Sequence, residues 1–383
     1  MKDNFSSPPD GPTFLIRRGL IAVITVLLPG GGVILISPLQ SGARTVSRTR
    51  LAKTGEAVNV KDFGATGDGL TNDRAAIQAA FNASKKVHFQ AGIYYVGTLS
   101  NGSTALDLRT LGGGISITTD GFVELLCETT NDSQTSFFAM NENSDFYCDP
   151  IHFRDTGFIT NQASPKRGAT GFLVLTGSTS WGKLRFAGIY GNKIFSAFEI
   201  LNVGNTNEAK NRVSNIVIDD VAIDEGYYGV ALGANGDNTS VKKITTSRVF
   251  RSLFVYNVVN VEALIYATNH LATSGVVNIG RFNRNVTTSP TKAIRVRYVS
   301  RGNANALTHV LINHIGPDTG VIDGVTLELD IEDNGTPQHA VRCVTYNTSG
   351  GSEIAASLGN VVANISINGR VTNNWNDIGC HAN

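Results

Sequence analysis

Apolar and polar residues alternate in short runs along most of the chain. The clearest are NIVIDDVAI (215–223), YGVALGA (228–234), KAIRVRYV (292–299), GVTLELDIE (324–332) and NVVANISINGRV (360–371). Period-two alternation over four to eight residues predicts half-buried strands. Asn, Gly and Asp cluster between the runs, as in GANGDNTS, SRGNANA, EDNGTP and NTSGGS, and these residue types favour turns. The irregular spacing fits stacked coils with inserted loops, each about 4.8 Å from the next, with inward Val, Ile and Leu filling one continuous core. A β-sandwich produces the same alternation.

One stretch departs from this rhythm. Val58 to Ala80 reads VNVKDFGATGDGLTNDRAAIQAA. Val58 and Val60 alternate with Asn59 and Lys61 as a strand start. Gly64, Gly67, Asp68 and Gly69 predict a tight turn. A helix capped by Asn72 or Asp73 follows, with Ala76, Ile77, Ala80 and Phe81 on one face. The glycine spacing is not that of a phosphate-binding loop.

This stretch resembles the opening motif of the pectate-lyase-like superfamily, found in bacteriophage tailspikes and secreted polysaccharide-degrading enzymes. The matching residues are Val60 to Ala65, Gly67 to Gly69, Thr71, Asp73 and Ala75 to Ala80. Upstream, LQSGARTVSRTRLAKTGEAV (39–58) resembles the SGA-RTV and basic segment that precedes VKDFGA in tailspikes. The resemblance decides between coils and sandwich. It implies an all-β, right-handed single-stranded parallel β-helix over 58–383, with an N-terminal cap at 58–84 containing a short helix. A separate attachment segment occupies 1–57. The implied setting is the phage virion, with a tail or adaptor protein bound through 1–57 and a homotrimeric spike. The implied ligand is host surface polysaccharide. The last residues are expected to fold back over the open end of the coil.

The segment LIAVITVLLPGGGVILIS (20–37) has three readings: an export signal or anchor, a membrane span, or two short strands buried in an assembly. Pro29 and Gly30 to Gly32 disfavour a helix, and the Val, Ile and Thr content favours strands. Charge divides the chain in the same place. Residues 1–53 hold seven Lys/Arg against two Asp/Glu, and the remainder 25 against 29. A basic arm on a faintly acidic body reads as an attachment segment. The overall net charge of +1 gives no reason to expect nucleic acid.

Cys127, Cys148, Cys343 and Cys380 have no metal-ligand spacing and read as isolated thiols. His88 reads as structural. No DxDxD-like loop offers calcium ligands, so neither metal nor cofactor is expected.

Candidate chemistry is carboxylate chemistry. Glycoside hydrolysis needs two carboxyl groups about 5–5.5 Å apart for retention or about 6.5–9.5 Å for inversion. Alternate residues on a strand stand about 6.8 Å apart on one face. Glu328, Asp330 and Glu332 share the predicted outer face of their strand at that near-inverting spacing, and like charges in a row are expected to raise one pKa. Asp219, Asp220, Asp224 and Glu225 form a second acidic cluster. Arg295 and Arg297, with Arg301 nearby, are candidates for gripping an anionic sugar, or for lyase chemistry. Tyr227, Tyr228, Trp181 and Tyr190 are candidates for stacking on sugar rings. Each also fits ordinary strand surface or packing.

Three functional readings follow. The first is a tailspike that binds, and in its enzymatic form depolymerises, host polysaccharide, as a hydrolase before a lyase. The second is a non-catalytic virion adhesin or structural spike. The third is a secreted or membrane-anchored bacterial polysaccharide lyase or hydrolase.

Overall fold

The computed structural model describes residues 25–27, 33–35, 56–100, 102–130, 135–141, 145–159, 168–176, 181–202, 213–233, 236–271, 274–282, 290–302, 308–315, 321–332, 339–346 and 362–372. The chain divides into two units, Met1–Arg50 and Leu51–Asn383. In the first, strands Thr25–Leu27 and Val33–Leu35 pair antiparallel, with Val26 opposite Ile34. These lie on either side of the Pro-Gly-Gly-Gly stretch in sequence.

The second unit is a parallel β-helix. Every described strand pair in its sheet is parallel, and each strand bonds to one a full coil earlier and one a full coil later. Connections between parallel strands of one sheet are right-handed, which sets the hand of the coil. Coil length varies, with 22 residues between Val241 and Ala263 and 40 between Leu327 and Ile367. The surplus is carried between strands, so the stack is undisturbed.

Registers turn the sequence pattern into vertical files of side chains. One inward file runs Val58, Val87, Ile117, Cys148, Phe186, Ile218, Val241, Ala263, Val296, Leu327 and Ile367. A second runs Leu106, Phe138, Phe172, Phe198, Val230, Leu253, Val277, Val310 and Val341. The lower coils are filled by aromatic rings, with Phe138 stacked on Phe172 at 4.9 Å and Phe172 tilted against Phe186 at 4.8 Å. The upper coils are aliphatic. Burying such side chains contributes about 1.5–3 kcal/mol each.

The opening segment keeps the predicted order of strand, glycine turn and helix, but Val60 lies in a 3-10 turn and Asp68–Asn72 forms a strand where a turn was expected. A 3-10 turn at Val60–Phe63 ends on Gly64 at φ 99°, a left-handed conformation suited to glycine. Helix α1 (Arg74–Ala83) buries Ile77, Ala80 and Phe81. Phe81 meets Phe89 and Phe138 and so closes the lower end of the core. Asp73 precedes the helix without capping it. Its carboxylate instead accepts from the Thr66 and Gly67 N–H groups at 2.7 and 3.0 Å and pins the glycine turn. Asn72 Oδ1 accepts from the Arg74 N–H at 3.1 Å.

His88 bonds Thr118 and Asp120 on the next coil, a structural role as expected. Cys127, Cys148 and Cys343 are buried free thiols. Cys380 and the residues expected to cover the open end lie outside the described residues.

Candidate functional site

Strands Val221–Leu232, Gly236–Tyr256, Val259–Thr268, Thr291–Arg301, Ile322–Glu332 and Val362–Thr372 stack in register. In Ile322–Glu332, Val325, Leu327, Leu329 and Ile331 point into the core, which turns Glu328, Asp330 and Glu332 outward as predicted. Arg295 and Arg297 face outward between buried Ile294, Val296 and Tyr298. Adjacent files on this outer face read Glu262, Arg295, Thr326, Ser366; then Leu264, Arg297, Glu328, Asn368; then Tyr266, Val299, Asp330, Arg370; then Asp224, Ser247, Thr268, Arg301, Glu332. Asp224 of the second acidic cluster therefore shares one sheet face with Glu328, Asp330 and Glu332. Asp224 and Glu332 sit in the same file four coils apart, about 19 Å.

A groove of about 780 Å³ opens on this face. It is lined by Lys242, Glu262, Arg295, Arg297, Glu328 and Asn368, among others. Arg297 Nε lies 3.5 Å from Glu328 Oε1 at an exposed position. Glu262, Lys242, Asn368 and Arg370 were not singled out by sequence, because coils 22 to 40 residues apart leave no periodic trace.

Asp330 is the most constrained acid of the face. Arg301 donates to its Oδ2 at 2.5 Å and Arg370 to its Oδ1 at 3.1 Å. These hydrogen bonds, Arg301's first, hold its carboxyl below the usual range. This runs against the pKa rise expected from a row of like charges, because guanidinium groups from the coils on either side outweigh the neighbouring acids. Asp330 is thus ionised at neutral pH, suited to a base and unsuited to a proton donor.

The lower cluster differs from its sequence picture. Asp219 and Asp220 stand between strands Val213–Ile218 and Val221–Leu232, not within one strand. Asp219 meets Lys242 at 2.5 Å and Arg185 at 3.3 Å, and these cations, Lys242 first, lower its pKa. Asp220 accepts from the Tyr190 hydroxyl at 3.2 Å. Asp224 is held by both nitrogens of an Arg248 fork, at 3.1 and 2.5 Å.

The aromatic candidates separate. Tyr190 lies on the same outer face as Asp224, in a file with His152, Ala222 and Thr245. Tyr227 and Tyr228 follow a bend at Glu225, where φ is 64°, and belong to a different strip of the coil. There Tyr227 stacks between Phe195 and Phe250 at 5.2 and 4.9 Å, and Tyr228 against Phe254 at 5.5 Å. Burial drives the Tyr228 hydroxyl pKa upward. Both residues remain partly exposed within this aromatic cluster. Trp181 opens the strand Trp181–Phe186, and its side chain lies outside the described residues. Among the described residues no group of three His, Cys, Asp or Glu side chains is placed to hold a metal.

Parts of the chain are similar to known proteins. The family model "Rhamnogalacturonase A/epimerase, pectate lyase-like" matches residues 57–103. No curated protein matches the sequence significantly. Among solved structures, the Agl-KA catalytic domain is similar at 16% identity over 84% of this chain and 69% of that one, with a TM-score of 0.43. The A-module of Azotobacter vinelandii mannuronan C-5 epimerase AlgE4 is similar at 16% identity over 83% and 100%, with a TM-score of 0.24. PfbA, a surface adhesin of Streptococcus pneumoniae, is similar at 10% identity over 79% and 95%, also at 0.24. The opening segment, residues 57–103, is thus similar to the pectate-lyase-like family, and the coiled parallel sheet that follows it is a parallel β-helix.

Proposed function

We propose that the chain is a bacteriophage tailspike whose β-helix binds host surface polysaccharide along one sheet face. The observation that carries this reading is the groove in which Lys242, Glu262, Arg295, Arg297 and Glu328 converge from separate coils. A concave strip of alternating cations and acids suits a hydroxylated, charged polymer, and guanidinium groups match carboxylates in planar, two-point fashion. The upstream SGARTV segment and basic arm support attachment through residues 1–57 and a place in the virion. A homotrimer is part of the proposal.

Cleavage is the finer question. In a hydrolytic pair, Asp330 supplies the base and Glu328 the acid. The experiment is incubation of the protein with capsule or lipopolysaccharide of its host, measuring new reducing ends and unsaturated uronates. Release of reducing ends, lost in the Glu328→Gln/Asp330→Asn double variant while binding persists, supports the hydrolase. Unchanged turnover in that variant removes the pair. Binding without product supports the adhesin reading, which the two-guanidinium clamp on Asp330 favours.

A further inference from the structure

Below the groove, the same face carries a file of aromatic rings with a gap in it. His152, Tyr190, Ala222, Thr245 and Tyr266 stack on consecutive coils. The His152 ring centre lies 4.5 Å from Phe122 and 4.7 Å from Tyr190, the latter pair tilted by 30°. That spacing is one coil, so the rings lie across the axis and their faces look along it. The hydroxyl end of the Tyr190 ring passes close to Gly188, where a Cβ would approach it to 2.8–2.9 Å. The next two coils offer only Ala222 and Thr245, and a ring returns at Tyr266. From Tyr190 to Tyr266 is three coils, about 14 Å.

A cavity of about 360 Å³ runs along this file from Glu124 and His152 past Tyr190 to Thr245, short of Tyr266. Tyr190 and Ala222 line it with Asn192, Asp224, Thr245 and Ser247, and no lysine or arginine is among its lining residues. The nearby guanidiniums of Arg154 and Arg248 are engaged by Glu124 and Asp224. The groove above is the opposite, with Lys242, Arg295 and Arg297 in its wall. Both open on the outer face of strand Gly236–Tyr256, the groove at Ser240 to Lys242 and the gap at Thr245 to Ser247.

We propose that the gap is a subsite for one uncharged pyranose ring, stacked on Tyr190 as the next ring of the file. The adjoining groove then takes a neighbouring uronate unit of the same polymer. This rests on the glycan-binding reading and names its ligand: an acidic heteropolysaccharide, laid along the coil axis, in which neutral and acidic sugars adjoin. A pyranose presents an apolar C–H face to an aromatic ring and hydroxyls at its rim. The amide, carboxylate and hydroxyls of Asn192, Asp224, Thr245 and Ser247 supply both donors and acceptors for that rim.

The test is calorimetric titration of the full chain with hexasaccharides of hyaluronan (alternating neutral and uronate units), galacturonan (all uronate) and cellulose (all neutral). The expected order places hyaluronan first. Ala222→Phe fills the gap with a ring and is expected to weaken that binding by about tenfold, the scale of one lost stacking contact. Tyr190→Ala is expected to weaken it similarly. Thermal melts of each variant establish that the fold is kept. Full affinity in Ala222→Phe, with loss in Arg295→Ala/Arg297→Ala, overturns the subsite and leaves the glycan-binding reading standing. Preference for the galacturonan hexasaccharide also overturns it. Failure of the native chain to bind any of the three overturns both.

Discussion

At the scale of single residues, the acids of this chain divide into those that build turns and those that face the groove. Asp155 belongs to the first kind. It is fully buried and accepts from the Thr129 N–H and hydroxyl and from the Gly157 and Ala169 N–H groups, all within 2.8–2.9 Å. Burial still raises its pKa against those bonds. Asp155→Ala strands several buried donors and is expected to cost about 3 kcal/mol, read as a lower denaturant midpoint. An unchanged midpoint would sink this assignment. Sequence did not single out Asp155, because a lone aspartate near a glycine reads like any turn residue, and it offered Asp73 only as a helix cap. His152 and its ring contacts were equally silent, since their partners lie on other coils.

At the scale of the element, alternation gave the facing of side chains wherever a strand runs straight. GVTLELDIE is the clearest case: its four inward aliphatics and three outward acids were legible without coordinates. The bends were not. Asp219 and Asp220 continue an apolar-polar pattern through a corner, so their separation from the strand proper has no signature in hydropathy. Nor does alternation say which run lies above which, and the placing of Asp224 with Glu332 depends wholly on that. The inward file makes its own prediction. Leu327, fully buried between Val296 and Ile367, is expected to cost about 3 kcal/mol on truncation to alanine, within the usual range for a buried leucine. Arg295→Ala, one strand away but outward, is expected to leave the same denaturation curve within about 0.5 kcal/mol.

At the scale of the whole β-helix unit, ion pairs within and between coils set its response to acid. Asp107, Asp219 and Asp330 all have pKa values lowered by basic partners, with Arg109 the first cause for Asp107. For a lowered carboxyl the unfolded chain binds more protons, so stability rises with pH. The contribution is present above about pH 4, the unfolded value, and is lost as pH falls through the folded values. These pairs are partly exposed, so each contribution is small and falls with salt. The expected result is a denaturant midpoint that declines below pH 4, and declines less steeply in 1 M salt. A midpoint flat down to pH 2.5 would count against it. The coiled architecture itself was legible from the opening motif, whereas the groove emerges only when strands tens of residues apart come into register.

The ladders of backbone N–H···O=C bonds run along the coil axis, from each turn of chain to the next. A load spread evenly over the end of the coil is therefore shared by all the bonds of a junction at once. Such a unit is a stiff strut: it transmits a push or a tug lengthwise with little give, while its side-chain files keep their spacing under strain.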